Sequence, residues 1–120
     1  MEINTINNDT ALLFLRTHRA HKEQISISPA DKWLGAFDNT ELLGVIGLQM
    51  IGKTARIKGF YVRDKSRKQG IGSMLMKQIL PKAEATAFAT AKSCGIFYKN
   101  GFRVESVNKN GVVFMRRTIS

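Results

Sequence analysis

The chain has 120 residues, 43% of them hydrophobic, with 19 lysines and arginines against 9 acidic residues and a formal net charge of +10. That length and composition fit a single domain over residues 1–120 with a core of its own, and they exclude a disordered chain. The lone cysteine, Cys94, excludes an internal disulfide and a zinc site built on cysteines.

Glu2 to Ile6 alternates and predicts a short edge strand. Asn8-Asp9-Thr10 offers N-cap residues, and the apolar run from Ala11 predicts a helix to about Lys22. Ser26 to Asp31, with Pro29, reads as a loop. Trp33 to Phe37 and Glu41 to Met50 predict strands joined by the turn Asp38-Asn39-Thr40. Ile51-Gly52-Lys53 turns again into a third strand, Thr54 to Val62. A basic loop runs from Arg63 to Gly72, and Ile71, Met74, Leu75 and Ile79 follow at helical spacing until Pro81. Glu84 to Thr90 predicts a buried strand, and Ala91 to Asn100 a short helix closed by Gly101. Phe102 to Val107 and Val112 to Arg117 predict a final hairpin around Asn110-Gly111. The order β-α-β-β-β-α-β-α-β-β predicts a mixed α/β fold.

No apolar stretch is long enough to cross a bilayer, and Met1 to Thr5 lacks the basic-then-apolar order of a signal peptide. The expectation is a cytoplasmic protein with no membrane partner. The charge is uneven. Residues 1–50 hold 4 Lys/Arg and 6 Asp/Glu, whereas residues 51–120 hold 15 and 3. This excess serves solubility, or it marks a polyanionic partner: nucleic acid or a phosphorylated cofactor. Composition does not choose between them.

The chemistry concentrates between Phe60 and Ser73. A strand runs out, a polar loop turns, and a helix begins at Gly70-Ile71-Gly72. The first N–H groups of a helix have no partner within it, and with the helix dipole they form an anion site. Gly70 and Gly72 would let a pyrophosphate approach the backbone, with Lys65, Arg67 and Lys68 to neutralise it. The lysine and hydroxyl residue of a nucleoside-triphosphate loop are absent, as is the third glycine of a dinucleotide fingerprint.

Val62-x4-Arg67-x2-Gly70-x-Gly72 resembles the acyl-CoA-binding motif of the GCN5-related N-acetyltransferase (GNAT) superfamily. Ile96 to Phe102 resembles that family's late segment, and the likeness covers roughly residues 2–117. It implies a mixed, mostly antiparallel central sheet of six to seven strands with about three helices. It implies acetyl-CoA as cosubstrate, no metal, and transfer of the acetyl group to an amine by direct attack in a ternary complex. On this likeness Arg67, Lys68, Gln69, Gly70, Ile71, Gly72 and Ser73 form the pyrophosphate cradle. Phe60, Tyr61 and Val62 pair with the pantetheine arm, in a gap where their strand splays from Ala85 to Thr90.

Two departures bear on catalysis. The family's usual acid is a tyrosine four residues before the late glycine, and here that position is Phe97. Tyr98, one residue on, is the expected acid, with Ser93 and Cys94 as spare donors nearby. No base is evident on the strand before the loop, where Thr54, Arg56, Lys58 and Phe60 are expected to share a face. Glu41, Asp38, His18 and His21 are candidate bases elsewhere, as is a water relay. Arg56 and Lys58 beside the acyl gap would favour an acceptor amine carried on a polyanion, so a nucleic acid is one reading. A small-molecule or protein amine is another. A non-catalytic CoA-binding module is the third.

Overall fold

The computed structural model describes residues 1–119. Seven strands form one sheet: β1 (Glu2–Ile6), β2 (Lys32–Asp38), β3 (Glu41–Ile51), β4 (Thr54–Val62), β5 (Ala85–Ala89), β6 (Arg103–Val107) and β7 (Val113–Arg117). Their order across the sheet is β1-β2-β3-β4-β5-β7-β6. Every neighbouring pair is antiparallel except β4 and β5, which are parallel. A parallel pair needs a crossover, and α2 (Ile71–Ile79) supplies it.

The first helix departs from the expectation at both ends. α1 runs from Asn8 to Thr17. Its cap is Asn7, whose side chain accepts a hydrogen bond from the Thr10 N–H at 2.8 Å. Arg19 then turns left-handed (φ 52°), and Ala20–Glu23 winds into a separate 3-10 turn. The third helix, α3 (Cys94–Lys99), is also shorter than expected. It ends where the sequence says it should. Gly101 has φ 92°, and the N–H groups of Gly101 and Phe102 reach back to the carbonyls of Tyr98 and Phe97, each at 3.1 Å. This double closure is a Schellman motif, which glycine permits because it has no Cβ.

The sheet buries a core on each face. Ile71, Leu75, Met76 and Ile79 of α2 cover one face, together with Phe97 of α3. Ala11, Leu12, Phe14 and Leu15 of α1 cover the other, against Trp33, Val45 and Tyr61. Asn8 locks this second layer. Its Oδ1 accepts from the Ala30 N–H at 2.9 Å and from the Trp33 indole N–H at 2.6 Å. An alanine at Asn8 would remove both bonds at an exposed position, where water can reach part of the space it leaves. Asn8→Ala is therefore expected to lower unfolding free energy by about 0.5–1.5 kcal/mol, read from urea denaturation curves.

Two irregularities in β4 shape the site. The pairing with β3 slips between Val45, opposite Tyr61, and Gly47, opposite Lys58. Gly59 sits in the slip with φ 58°, so the strand bulges there. The bulge corrects the expected face. Arg56 and Lys58 do not share a side with Phe60, which turns into the α2 layer beside Ile57. The second irregularity is the end of the parallel pairing. β4 meets β5 only at Ala55–Ala85, Arg56–Thr86 and Ile57–Ala87. Beyond those pairs β4 runs on to Val62 and β5 to Ala89 without meeting.

Candidate functional site

A cleft of about 830 Å³ fills the gap between the diverging strands. One end is the start of α2. Gly70 precedes the helix with φ 80°, and no side chain caps it. The first bond of the helix is from the Met74 N–H to the Gly70 carbonyl at 3.1 Å. The amides of Ile71, Gly72 and Ser73 therefore have no partner from the helix itself, and all three residues line the cleft. A Cβ at Gly70 would meet nothing within 4 Å, so the approach to these amides is open. Gly72 lines the cleft and also packs tightly on its other side. A Cβ there would stand 3.0 Å from Phe60 Cζ and 3.1 Å from Ile96 Cδ1. Its glycine serves the close packing of helix on strand.

The other side of the cleft is a charged knot built on Glu23. Its Oε2 accepts from Arg67 Nη2 at 2.9 Å and from the Tyr61 hydroxyl at 3.1 Å. Its Oε1 pairs with Lys92 Nζ at 3.3 Å. Arg67 also donates from Nε to the Val62 carbonyl at 2.8 Å, and its guanidinium lies 5.0 Å from the centre of the Tyr61 ring. Burial alone would raise the Glu23 carboxyl, but the hydrogen bond and charge of Arg67, with Tyr61 and Lys92, hold it below its ordinary value. Burial, then the Glu23 charge, push the Tyr61 hydroxyl up. Nearby His18 packs on Phe14 with ring centres 4.5 Å apart. Burial, then the charges of Arg63 and Lys65, lower its pKa.

The cleft gathers Phe60 to Val62, Arg67, Lys68, Gly70 to Ser73, and Ser93. Gln69 does not line it, although both its neighbours do. Arg67 is present, but its side chain is engaged with Glu23 and Val62 rather than offered to a phosphate. Ser93 Oγ accepts from the Thr90 N–H at 3.0 Å and so is fixed at the end of β5. Tyr98 lies outside the cleft, 56% exposed, with the Arg103 guanidinium 4.1 Å over its ring. The inward position on α3 belongs to Phe97, 2% exposed and edge-on to Phe60 and Phe102. One residue on a helix is a rotation of about 100°, which carries Tyr98 to solvent.

Arg56 and Lys58 also lie outside the cleft. Arg56 stacks 5.6 Å over the Phe88 ring, and Lys58 Nζ donates to the Pro29 carbonyl at 2.9 Å. Among the base candidates named from sequence, Glu41 is bound to Arg63 on an exposed surface, and none of the four lines the cleft. Glu23 carried no sequence signal. It sits at the end of the 3-10 turn, and its partner Arg67 is 44 residues away.

The sequence model of the acetyltransferase (GNAT) family matches residues 3–102. The chain belongs to that family. Solved structures agree on the GNAT fold. The PaiA N-acetyltransferase of Thermoplasma acidophilum, in complex with coenzyme A, aligns at TM-score 0.69 and 18% identity over 98% of this chain and 99% of its own. GCN5 of Tetrahymena aligns at TM-score 0.76 and 15% identity over 100% and 97%. Rv2747 of Mycobacterium tuberculosis, in complex with CoA and NLQ, aligns at TM-score 0.80 and 10% identity over the whole of both chains. No curated protein matches this GNAT family member by sequence. Its seven-stranded mixed sheet and three helices carry the GNAT architecture.

Proposed function

We propose that this GNAT family member transfers an acetyl group from acetyl-CoA to an amine within a ternary complex. The observation that carries the reading is one cleft with an anion site at one end and a carboxylate at the other. The residues present fit the cosubstrate. The amides of Ile71, Gly72 and Ser73 and the open space over Gly70 suit a pyrophosphate. Lys68 adds a positive charge at the same rim. The edge of β4 left free beyond Ile57 offers main-chain groups to an extended arm, as an added strand would use them.

The thioester of the bound donor supplies the activated acyl group. Of the two carboxylates lining the cleft, Glu23 is the more buried and Asp64 lies open to solvent, so Glu23 is the one that would hold the ammonium of an acceptor. Its depressed pKa makes it a weak base, so it orients the amine and passes the proton on to water. Ser93 lines the cleft, and its hydroxyl, which now faces the Thr90 backbone, would turn to protonate the departing sulfur. Arg56 and Lys58, the cations that would favour an anionic acceptor, lie outside the cleft, engaged with the Phe88 ring and the Pro29 carbonyl, and two further arginines are also paired within the chain. Arg116 binds Glu84 at 2.5 Å and Glu105 at 3.0 Å, and Arg117 donates to the carbonyls of Pro81 and Ala83. A simple cationic amine therefore suits the site better than a nucleic acid. Phe97 in place of the family's tyrosine supports a second reading, a chain that binds acetyl-CoA without turnover.

Acetyl-CoA at about 100 times its Kd is expected to add about 2.7 kcal/mol to stability, seen as a rise of about 10 °C in Tm. No shift at millimolar ligand removes both readings. Release of free thiol on adding pooled amines, peptides or nucleic acids then separates the enzyme from the binding module.

A further inference from the structure

We propose that Lys92 is an acceptor for the chain's own acetyl transfer, so that the protein acetylates itself within its cleft. This rests on the acyl-CoA reading above. Three lysines line the cleft: Lys68, Lys92 and Lys99. Among the described residues only Lys92 of these three forms an ion pair. Lys92 follows the end of β5, on one side of the gap. Its partner Glu23 is anchored on the other side, to Tyr61 of β4 and to Arg67 just beyond it. Glu23 Oε1 receives Lys92 Nζ at 3.3 Å. The ion pair thus spans the diverging strands and carries a primary amine across the space between them.

That amine needs no binding step. A group held beside its electrophile gains over any amine free in solution, because the entropy of bringing the two together has already been lost. The side chain is 67% exposed, so water reaches the amine and can take its proton. The neutral Nζ attacks the thioester carbonyl carbon. The C–N bond forms and the C–S bond breaks. The nitrogen gives up a proton to Glu23 or to water, and the departing thiolate takes one up. The product amide is neutral, so Glu23 loses one of its two cationic partners while Arg67 remains. An external amine would meet the same carboxylate and compete with Lys92 for it.

The test uses the full chain incubated with acetyl-CoA, with peptide mass mapping of each lysine over time. Lys92 is expected to gain its acetyl group at least about tenfold faster than Lys68 and Lys99. Its fractional rate is expected to stay the same when the protein is diluted, as an intramolecular step requires. In urea the three lysines are expected to react alike. Equal rates at the three lysines in the folded chain overturn the proposal, as does a rate at Lys92 that falls on dilution. A Tm shift with acetyl-CoA but no label on Lys92 overturns self-acetylation alone. The absence of both removes the acyl-CoA reading as well.

Discussion

Replacing Gly59 by alanine is expected to lower unfolding free energy by about 2–5 kcal/mol, among the largest effects any single change in this chain can have. Two costs add. The left-handed φ of 58° is strained for any residue with a Cβ. The added carbon would also stand 2.4 Å from Cη2 and 2.8 Å from Cζ3 of Trp33. The indole cannot readily move aside. It is 1% exposed, its N–H is bound to Asn8, and it also packs against Gly47. Gly52 is the natural comparison, with φ 63° and nothing within 4 Å of an added Cβ. Gly52→Ala is expected to show the backbone cost alone, about 1–2 kcal/mol. The difference between the two variants in urea denaturation isolates the clash with Trp33. A loss at Gly59 no larger than at Gly52 would show that the bulge can relax around a methyl group.

The same glycine marks where sequence reading stops short. Alternation through Thr54 to Val62 is plain in the residues, and it places Arg56, Lys58 and Phe60 on one face. One extra residue in a bulge inverts that assignment from Phe60 onward. A glycine inside a strand is a hint of this, but it does not say which partner strand slips. The seven strands, the hairpin at Asn110-Gly111 and the loop leading to Gly70 are legible because each depends on near neighbours in the chain. Glu23 is not legible, because only the closed fold brings it to Arg67, Tyr61 and Lys92. The placement of Tyr98 outside the cleft is not legible for a related reason. Its hydroxyl is the right chemistry, but the register of a six-residue helix places Phe97 inward and Tyr98 outward.

The net charge of +10 acquires a structure of its own. Arg67, Arg116 and Arg117 hold carboxylates and carbonyls that join distant parts of the chain. These residues tie the 3-10 turn and the segment before β5 to the sheet. Their charge is a packing device as much as a field. What remains at the cleft is a cationic rim at α2 and two carboxylates, Glu23, a quarter exposed, and the fully open Asp64, both paired with Arg67. That polarity suits a phosphorylated donor entering from one end and an ammonium from the other.

Glu23→Gln tests that division of labour. At neutral pH the variant is expected to be less stable by about 1–2 kcal/mol. Removing one partner of a fully buried pair costs more, and side chains a quarter exposed reduce the figure. The dependence on pH has a definite sign. Arg67 and its neighbours hold the native carboxyl below its ordinary value. The unfolded chain therefore binds the proton more readily, and stability rises with pH across that window. The contribution is complete above about pH 4.5, the ordinary value, and is lost as pH falls through the lower native one. The gap between wild type and Glu23→Gln should close on acidification. Lys92→Ala removes only an exposed partner and is expected to cost less than about 0.5 kcal/mol. Function should divide the same way. Glu23→Gln is expected to leave the Tm shift with acetyl-CoA intact, because the pyrophosphate amides are untouched. It is expected to raise KM for a cationic acceptor about tenfold, the loss of one charge-assisted contact. A stability gap that persists unchanged into acid would show that Glu23 acts through packing alone. An unchanged KM would take the acceptor away from Glu23 and leave the carboxylate as a clasp holding the 3-10 turn to the end of β4.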